Sequence, residues 1–79
     1  MTENLSTLRS LLAAQHGQLP QADQATFCLD LAAEQDLNRP EGRATAGTAI
    51  KKVAQLCGGA QEIVALATSV AALIAAWPT

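Results

Sequence analysis

One histidine and two cysteines are the residues of this chain best suited to act as bases, nucleophiles or metal ligands. A nucleophile needs a nearby base and a further group that orients the base. Cys28 and His16 are 12 residues apart, and no third partner is evident in the sequence. Zinc requires about four ligands, which Cys28, Cys57 and His16 do not supply. We therefore expect no catalytic centre, metal site or cofactor; a small enzyme subunit that uses Cys28 is an alternative.

Three acidic residues, Asp23, Asp30 and Glu34, follow one another at intervals of seven and four. On a helix this spacing places all three on one face. Acid/base chemistry would need a pocket that raises the pKa of one carboxyl, and a short alanine-rich chain has little room for such a pocket. The face is therefore either simply solvated or, as the alternative, contacts a positive patch on another protein.

Lys51 and Lys52 follow in the next helical stretch, with Arg43 just upstream of it, and the three form a modest basic patch that is solvated unless a partner contacts it. Acids on the second helix and bases on the third permit head-to-tail self-association, in which the acidic face of one copy lies on the basic face of the next. The predicted partner-binding residues are Asp23, Asp30, Glu34, Arg43, Lys51 and Lys52.

Composition favours one helical domain over residues 1–79. The chain is 49% hydrophobic and 3% aromatic, with a net charge of −2. Alanine and leucine dominate, both strong helix formers, while the β-branched and aromatic residues that strands prefer are scarce. The high apolar fraction and low charge argue against disorder. Whether the domain is a whole protein or the N-terminal domain of a longer one stays open.

Several partners and locations are disfavoured by the same sequence. It has no tyrosine and no basic stripe, which argues against nucleic acid as a partner. The longest uncharged apolar run, Ile63 to Trp77, has 15 residues, whereas a membrane span needs about 20. The first residues lack the basic start and apolar stretch of a signal peptide. We expect a cytoplasmic protein in which both cysteines are small buried apolar residues.

The helical spacing of the apolar residues, together with the glycine and proline residues that separate the helical stretches, predicts an all-α fold. We expect a small antiparallel bundle of four to six helices. Leu5, Leu8 and Leu12 are expected to face inward on the first helix. On the second, Phe27, Cys28 and Leu31 form the expected inward side, with Ala25 at its edge. A turn is expected over Asn38–Gly42 because of its proline and glycine. The four predicted helices are Thr2–Gln15, Leu19–Gln35, Ala44–Cys57 and Ala60–Ala76.

The middle of the chain carries a family resemblance. The string Phe27-Cys28-Leu29-Asp30-Leu31 precedes the loop Arg39-Pro40-Glu41-Gly42, a basic and apolar helix at Ala49–Val53, and Gly58-Gly59. From Leu5 to Leu66 this order resembles the bacterial death-domain-like effector-associated domains, which include caspase-recruitment-like modules.

The resemblance implies a death-fold-like bundle, usually of five or six helices, without catalytic residues. Such domains contact like or related helical domains and bring proteases or ATPase effectors to their sensors in bacterial anti-phage defence. We therefore expect a non-enzymatic adaptor or recruitment module. The alternative is a precursor peptide whose double-glycine leader ends at Gly59 and whose product is residues 60–79.

Overall fold

The computed structural model of the chain describes residues 2–77, with the backbone alone for Thr2. It contains four α-helices and a short 3-10 turn, His16–Gln18, and no strand occurs between residues 2 and 77. The predicted all-α bundle is confirmed, with four helices. They are α1 (Thr2–Ala14), α2 (Ala22–Glu34), α3 (Pro40–Leu56) and α4 (Gln61–Ala75).

The four helices form a closed ring in which each helix packs against two others. The third helix, α3, lies between α2 and α4, and α1 closes the ring by contacting α2 and α4. Short connections, 15–21, 35–39 and 57–60, join helices that neighbour one another in space, as in an antiparallel bundle. The resulting molecule measures 38 × 19 × 18 Å.

Alanine fills much of the core. Seven of the sixteen buried apolar side chains in the described residues are alanine, and only eight large side chains are fully buried. Small side chains let helix axes approach closely, so the bundle is narrow. The fully buried larger residues are Leu8, Leu12, Leu29, Ile50, Val53, Cys57, Ile63 and Val70.

The inward face of α2 differs from the one expected from the sequence. Phe27 is 71% exposed and Leu31 37% exposed, so the prediction that both face inward is wrong. Cys28 is half-buried. The buried side chains are instead Ala22, Ala25, Leu29 and Ala32, which recur at intervals of three and four. This alanine-rich stripe allows close packing of α2, whereas a stripe led by a phenylalanine would hold α2 further from its neighbours.

The third helix begins earlier than expected. Pro40 occupies its first turn and Arg39 before it is extended, with φ −107° and ψ 139°. Proline suits the start of a helix because its missing N–H has no partner there in any case. The residue before a proline is pushed out of helical geometry. The turn predicted over Asn38–Gly42 is therefore wrong from Pro40 onward.

The connection between α2 and α3 is fixed by polar contacts and by one close approach. The backbone N–H of Asn38 donates to Oδ1 of Asp36 over 3.0 Å, and the guanidinium of Arg43 donates to the carbonyl oxygen of Leu37 over 3.0 Å. Gly42 is buried against the backbone of Asp36, where a Cβ atom would overlap the carbonyl oxygen. Position 42 therefore requires glycine, because no side chain fits there.

Candidate interaction surface

The three acidic residues predicted to bind a partner all lie on α2, but their contacts with the rest of the chain differ. Oδ1 of Asp30 lies 2.5 Å from Nη1 of Arg9 on α1. Oδ1 of Asp23 lies 2.6 Å from Nε2 of His16, although the Asp23 side chain is still 92% exposed. Glu34 is exposed and forms no ion pair within the described part of the chain. The acidic face thus exists, but Arg9 offsets the charge of Asp30.

The three predicted basic residues lie on α3 and point to different sides. Arg43 is half-buried, and its guanidinium is bonded to the α2–α3 connection. Lys51 borders the side of α3 that faces α4, whereas Lys52 borders the side that faces α2. Both lysines are exposed, and neither pairs with a carboxylate within residues 2–77. They therefore remain available to an external acidic group.

An exposed apolar strip, Phe27 and Leu31, runs along α2 beside these charges. The two residues are four apart, so they lie one above the other on the helix. At 100° per residue, Asp23 and Glu34 lie on one side of the strip and Cys28 on the other. Sequence reasoning missed this strip because it assigned both residues to the core.

The strip borders an open groove between α2 and α3, the α2–α3 groove. Cys28 and Leu31 line one wall, and the other wall consists of short side chains and the stem of Lys52. The residues of that second wall are Ala44, Thr45, Thr48, Ala49 and Lys52. The groove is mostly apolar with a positive charge at its α3 edge, which suits an apolar side chain that has an acid beside it.

A second shallow groove lies between α3 and α4. Ala54, Ala67 and Ala71 contribute to its walls, with Lys51 at its edge. Its walls are mostly alanine methyl groups, so the groove presents few polar groups to a ligand. Beyond this groove, toward the end of α4, the third and fourth helices also lie close together, since a Cβ atom on Gly47 would lie 3.9 Å from Cγ2 of Ile74.

The two cysteines and the histidine lie in different surroundings. Cys57 is fully buried, and its burial raises the pKa of the thiol above the usual 9.0. Cys28 is half-buried beside the α2–α3 groove, and both thiols are free. Among residues 2–77, no group of three His, Cys, Asp or Glu side chains lies close enough to bind a metal ion. His16 contacts Asp23 at the surface.

Comparison with known proteins yields no relative. The chain matches no protein-family model, and no curated protein or solved structure matches it significantly. The resemblance to the death-domain-like effector-associated domains stays a prediction. Within residues 2–77, no helix has the length and apolar character needed to cross a membrane.

Proposed function

We propose that this chain is a non-enzymatic interaction module that recruits another protein through the outer faces of α2 and α3. The exposure of Phe27 carries the proposal. It is one of only two aromatic residues in the chain, and 71% of its surface is exposed beside Leu31 and an apolar groove. Contiguous exposed apolar surface marks interaction sites, and aromatic residues are enriched among those that contribute most to binding.

The charges around the apolar strip support the same function. Lys52 lies at the groove and Glu34 on the other side of the strip, each without an ionic partner in the described residues. Complementary charges at the rim of an interface speed association and exclude wrong partners more than they add affinity. A partner that fits this surface presents an apolar side chain flanked by groups of both signs.

The family resemblance adds a class of partner to the proposal. It points to a related helical domain carried by a protease or an ATPase effector, brought to its sensor in bacterial anti-phage defence. The partner residues that we propose are Phe27, Leu31, Glu34, Lys51 and Lys52, with Asp23 at the rim. Asp30 and Arg43 have a structural part as well, since each bonds to another segment of the chain.

Capture from extracts of the native cells tests the proposal. The immobilised chain is compared with Phe27→Ala, with the double variant Lys51→Glu/Lys52→Glu, and with Leu73→Ala as a matched control. Leu73 is a second large exposed residue, 46% exposed, but it lies on α4. Retained proteins are identified by mass spectrometry, purified and titrated directly against each variant.

We expect the wild-type chain and Leu73→Ala to retain the same effector or sensor protein. Phe27→Ala and the lysine double variant should lose it while their helical circular dichroism stays unchanged. A protein that binds all four chains equally well would overturn the proposal, because neither the apolar strip nor the lysines would then contribute to recognition.

A further inference from the structure

The charge along the α2–α3 groove changes sign from one end to the other. The connection 35–39 is short, so the end of α2 and the start of α3 lie together at one end of the groove. Glu41 on α3 and Glu34 on α2, beyond the apolar strip, are both exposed at this end. Lys52 is exposed at the other end and lies on the same face of α3 as Glu41, because positions 41, 45, 48 and 52 recur at intervals of three and four.

The other charged side chains near the groove are already bonded within the chain. Oδ2 of Asp36 lies 3.7 Å from Nε of Arg39, and Oδ1 of Asp23 lies 2.6 Å from Nε2 of His16. The guanidinium of Arg43 donates to a carbonyl oxygen of the α2–α3 connection. The polarity of the groove is therefore set by three side chains that form no ion pair within residues 2–77, two acids at one end and one lysine at the other.

A helix is the peptide conformation that suits this groove. Both walls are α-helices whose backbone groups bond within their own helix, so an extended peptide finds no backbone partner there. A helix satisfies its own backbone and needs only an apolar stripe to lie on Phe27, Leu31 and the short side chains of α3. Glu41 and Lys52 are 11 residues apart, about 16 Å along α3, which a partner helix of about three turns spans.

Charge complementarity fixes the direction of the partner helix. Acidic residues stabilise the first turn of a helix and basic residues the last turn, because of the helix macrodipole. Such a helix fits when its first turn lies at Lys52 and its last turn at Glu34 and Glu41. We infer that the α2–α3 groove binds an amphipathic helix of a partner protein, acidic at its start and basic at its end, which runs parallel to α2 and antiparallel to α3. This inference deepens the proposed function and rests on it, because it specifies the kind of segment that the partner presents.

A pair of synthetic peptides tests the inference on the full chain. The first peptide has about 16 residues, mostly alanine, with leucines at helical spacing on one face, glutamates in its first turn and lysines in its last turn. The second exchanges the glutamates with the lysines and keeps the composition. Fluorescence anisotropy of the labelled peptides measures binding to the chain up to about 1 mM. Low ionic strength is used, because salt screens exposed charges.

We expect the wild-type chain to bind the first peptide at least about threefold more tightly than the second. The second peptide is also the weaker helix in isolation, so the variant Glu41→Lys/Lys52→Glu is the control. It reverses the charge at both ends of α3 without changing the net charge, and it should shift the ratio of the two affinities toward the second peptide by at least about threefold. Circular dichroism confirms that the variant remains helical.

The apolar contact is tested with the first peptide alone. Phe27→Ala should weaken its binding about tenfold, as expected of an aromatic residue at the centre of an interface. Leu73→Ala, which alters an exposed residue of α4, should bind it like the wild type. A version of the first peptide with a proline at its centre should not bind, because proline breaks the interior of a helix.

Three results would overturn the inference. The proline peptide binds the wild-type chain as tightly as the first peptide, so the occupant is not a helix. The ratio of affinities is the same for the wild type and Glu41→Lys/Lys52→Glu, so the charges do not set a direction. Neither peptide binds the wild type up to about 1 mM. If an effector captured from native cells is nevertheless lost on Phe27→Ala, recruitment stands and the helical occupant does not.

Discussion

Gly42 and Gly47 lie in the same helix, but a methyl group would meet different surroundings at each. At Gly42 a Cβ atom overlaps the carbonyl oxygen of Asp36, whereas at Gly47 its nearest neighbour is Cγ2 of Ile74 at 3.9 Å, an ordinary contact. We expect Gly42→Ala to lower the free energy of unfolding by about 1–3 kcal/mol through overpacking. Gly47→Ala should raise it by about 0.5–1 kcal/mol because alanine restricts the unfolded chain.

Urea unfolding followed by circular dichroism measures both effects, and each variant controls for the other because the mutation is chemically identical. A stabilising Gly42→Ala would contradict the close approach of α3 to the α2–α3 connection. A destabilising Gly47→Ala would mean that α3 and α4 lie closer together than the structure places them.

The buried thiol of Cys57 makes stability depend on pH in the alkaline range. Burial raises the pKa of Cys57 in the folded chain above its usual value of 9.0, so the unfolded chain loses this proton first. Stability is therefore undiminished below about pH 9 and falls as the pH rises from there through the folded pKa. Urea unfolding at a series of pH values from neutral to alkaline measures the effect.

Cys57→Ala is the matched control for this pH dependence, because it keeps every lysine and Cys28. The wild type should lose more stability between neutral and alkaline pH than Cys57→Ala loses. If the two chains lose the same amount, the thiol of Cys57 is not protected from ionisation by the core.

At the scale of the helix, the register of α2 decides which side chains form the core. Leu29 is fully buried and Leu31 is 37% exposed, two positions along the same helix. Leu29→Ala should lower the free energy of unfolding by about 2–5 kcal/mol, the range for cavities left by buried leucines. Leu31→Ala removes the same atoms from the surface and should change it by less than about 1 kcal/mol. Thermal and urea unfolding compare the two variants; equal losses would contradict this register.

The helices whose inward face carries large aliphatic residues could be predicted from the sequence, and the one lined by alanine could not. Leu8 and Leu12 on α1 are buried as their spacing predicts, and Ile63 and Val70 on α4, seven residues apart, are buried as well. On α2 three of the four buried residues are alanine, and the larger Phe27 points away from the core. Alanine is only weakly hydrophobic, so an alanine-lined face is hard to recognise in the sequence. The close packing of helices that buries such a face is visible only in the folded bundle.

Part of the candidate interaction surface could likewise be predicted from the sequence, and part could not. Placing acids on α2 and lysines on α3 needs only helix boundaries, and the structure agrees with both. The pairing of Arg9 with Asp30 joins α1 to α2, and the pairing of His16 with Asp23 joins the α1–α2 connection to the first turn of α2. Such contacts depend on how helices are arranged in space, which local periodicity does not determine. The same holds for the close approach of Gly42 to Asp36.

At the scale of the whole molecule, α4 is the helix that closes the ring. It packs against both α1 and α3, and four of its residues are buried in the common core. A chain that ends at Gly59 lacks these residues and exposes the apolar faces that α1 and α3 turn toward α4. Small domains bury a low fraction of their surface to begin with, so little stability is available to compensate for this loss.

We expect residues 1–59 alone to lose cooperative urea unfolding and most of the helical circular dichroism signal, while the full chain retains both. The same measurement bears on the alternative of a precursor peptide, because Gly58 and Gly59 are exposed in the connection before α4. If residues 1–59 unfold cooperatively, α4 is dispensable to the bundle. A free 60–79 peptide found by mass spectrometry of native cells would then favour release of α4 as a product over its role as the fourth member of the ring.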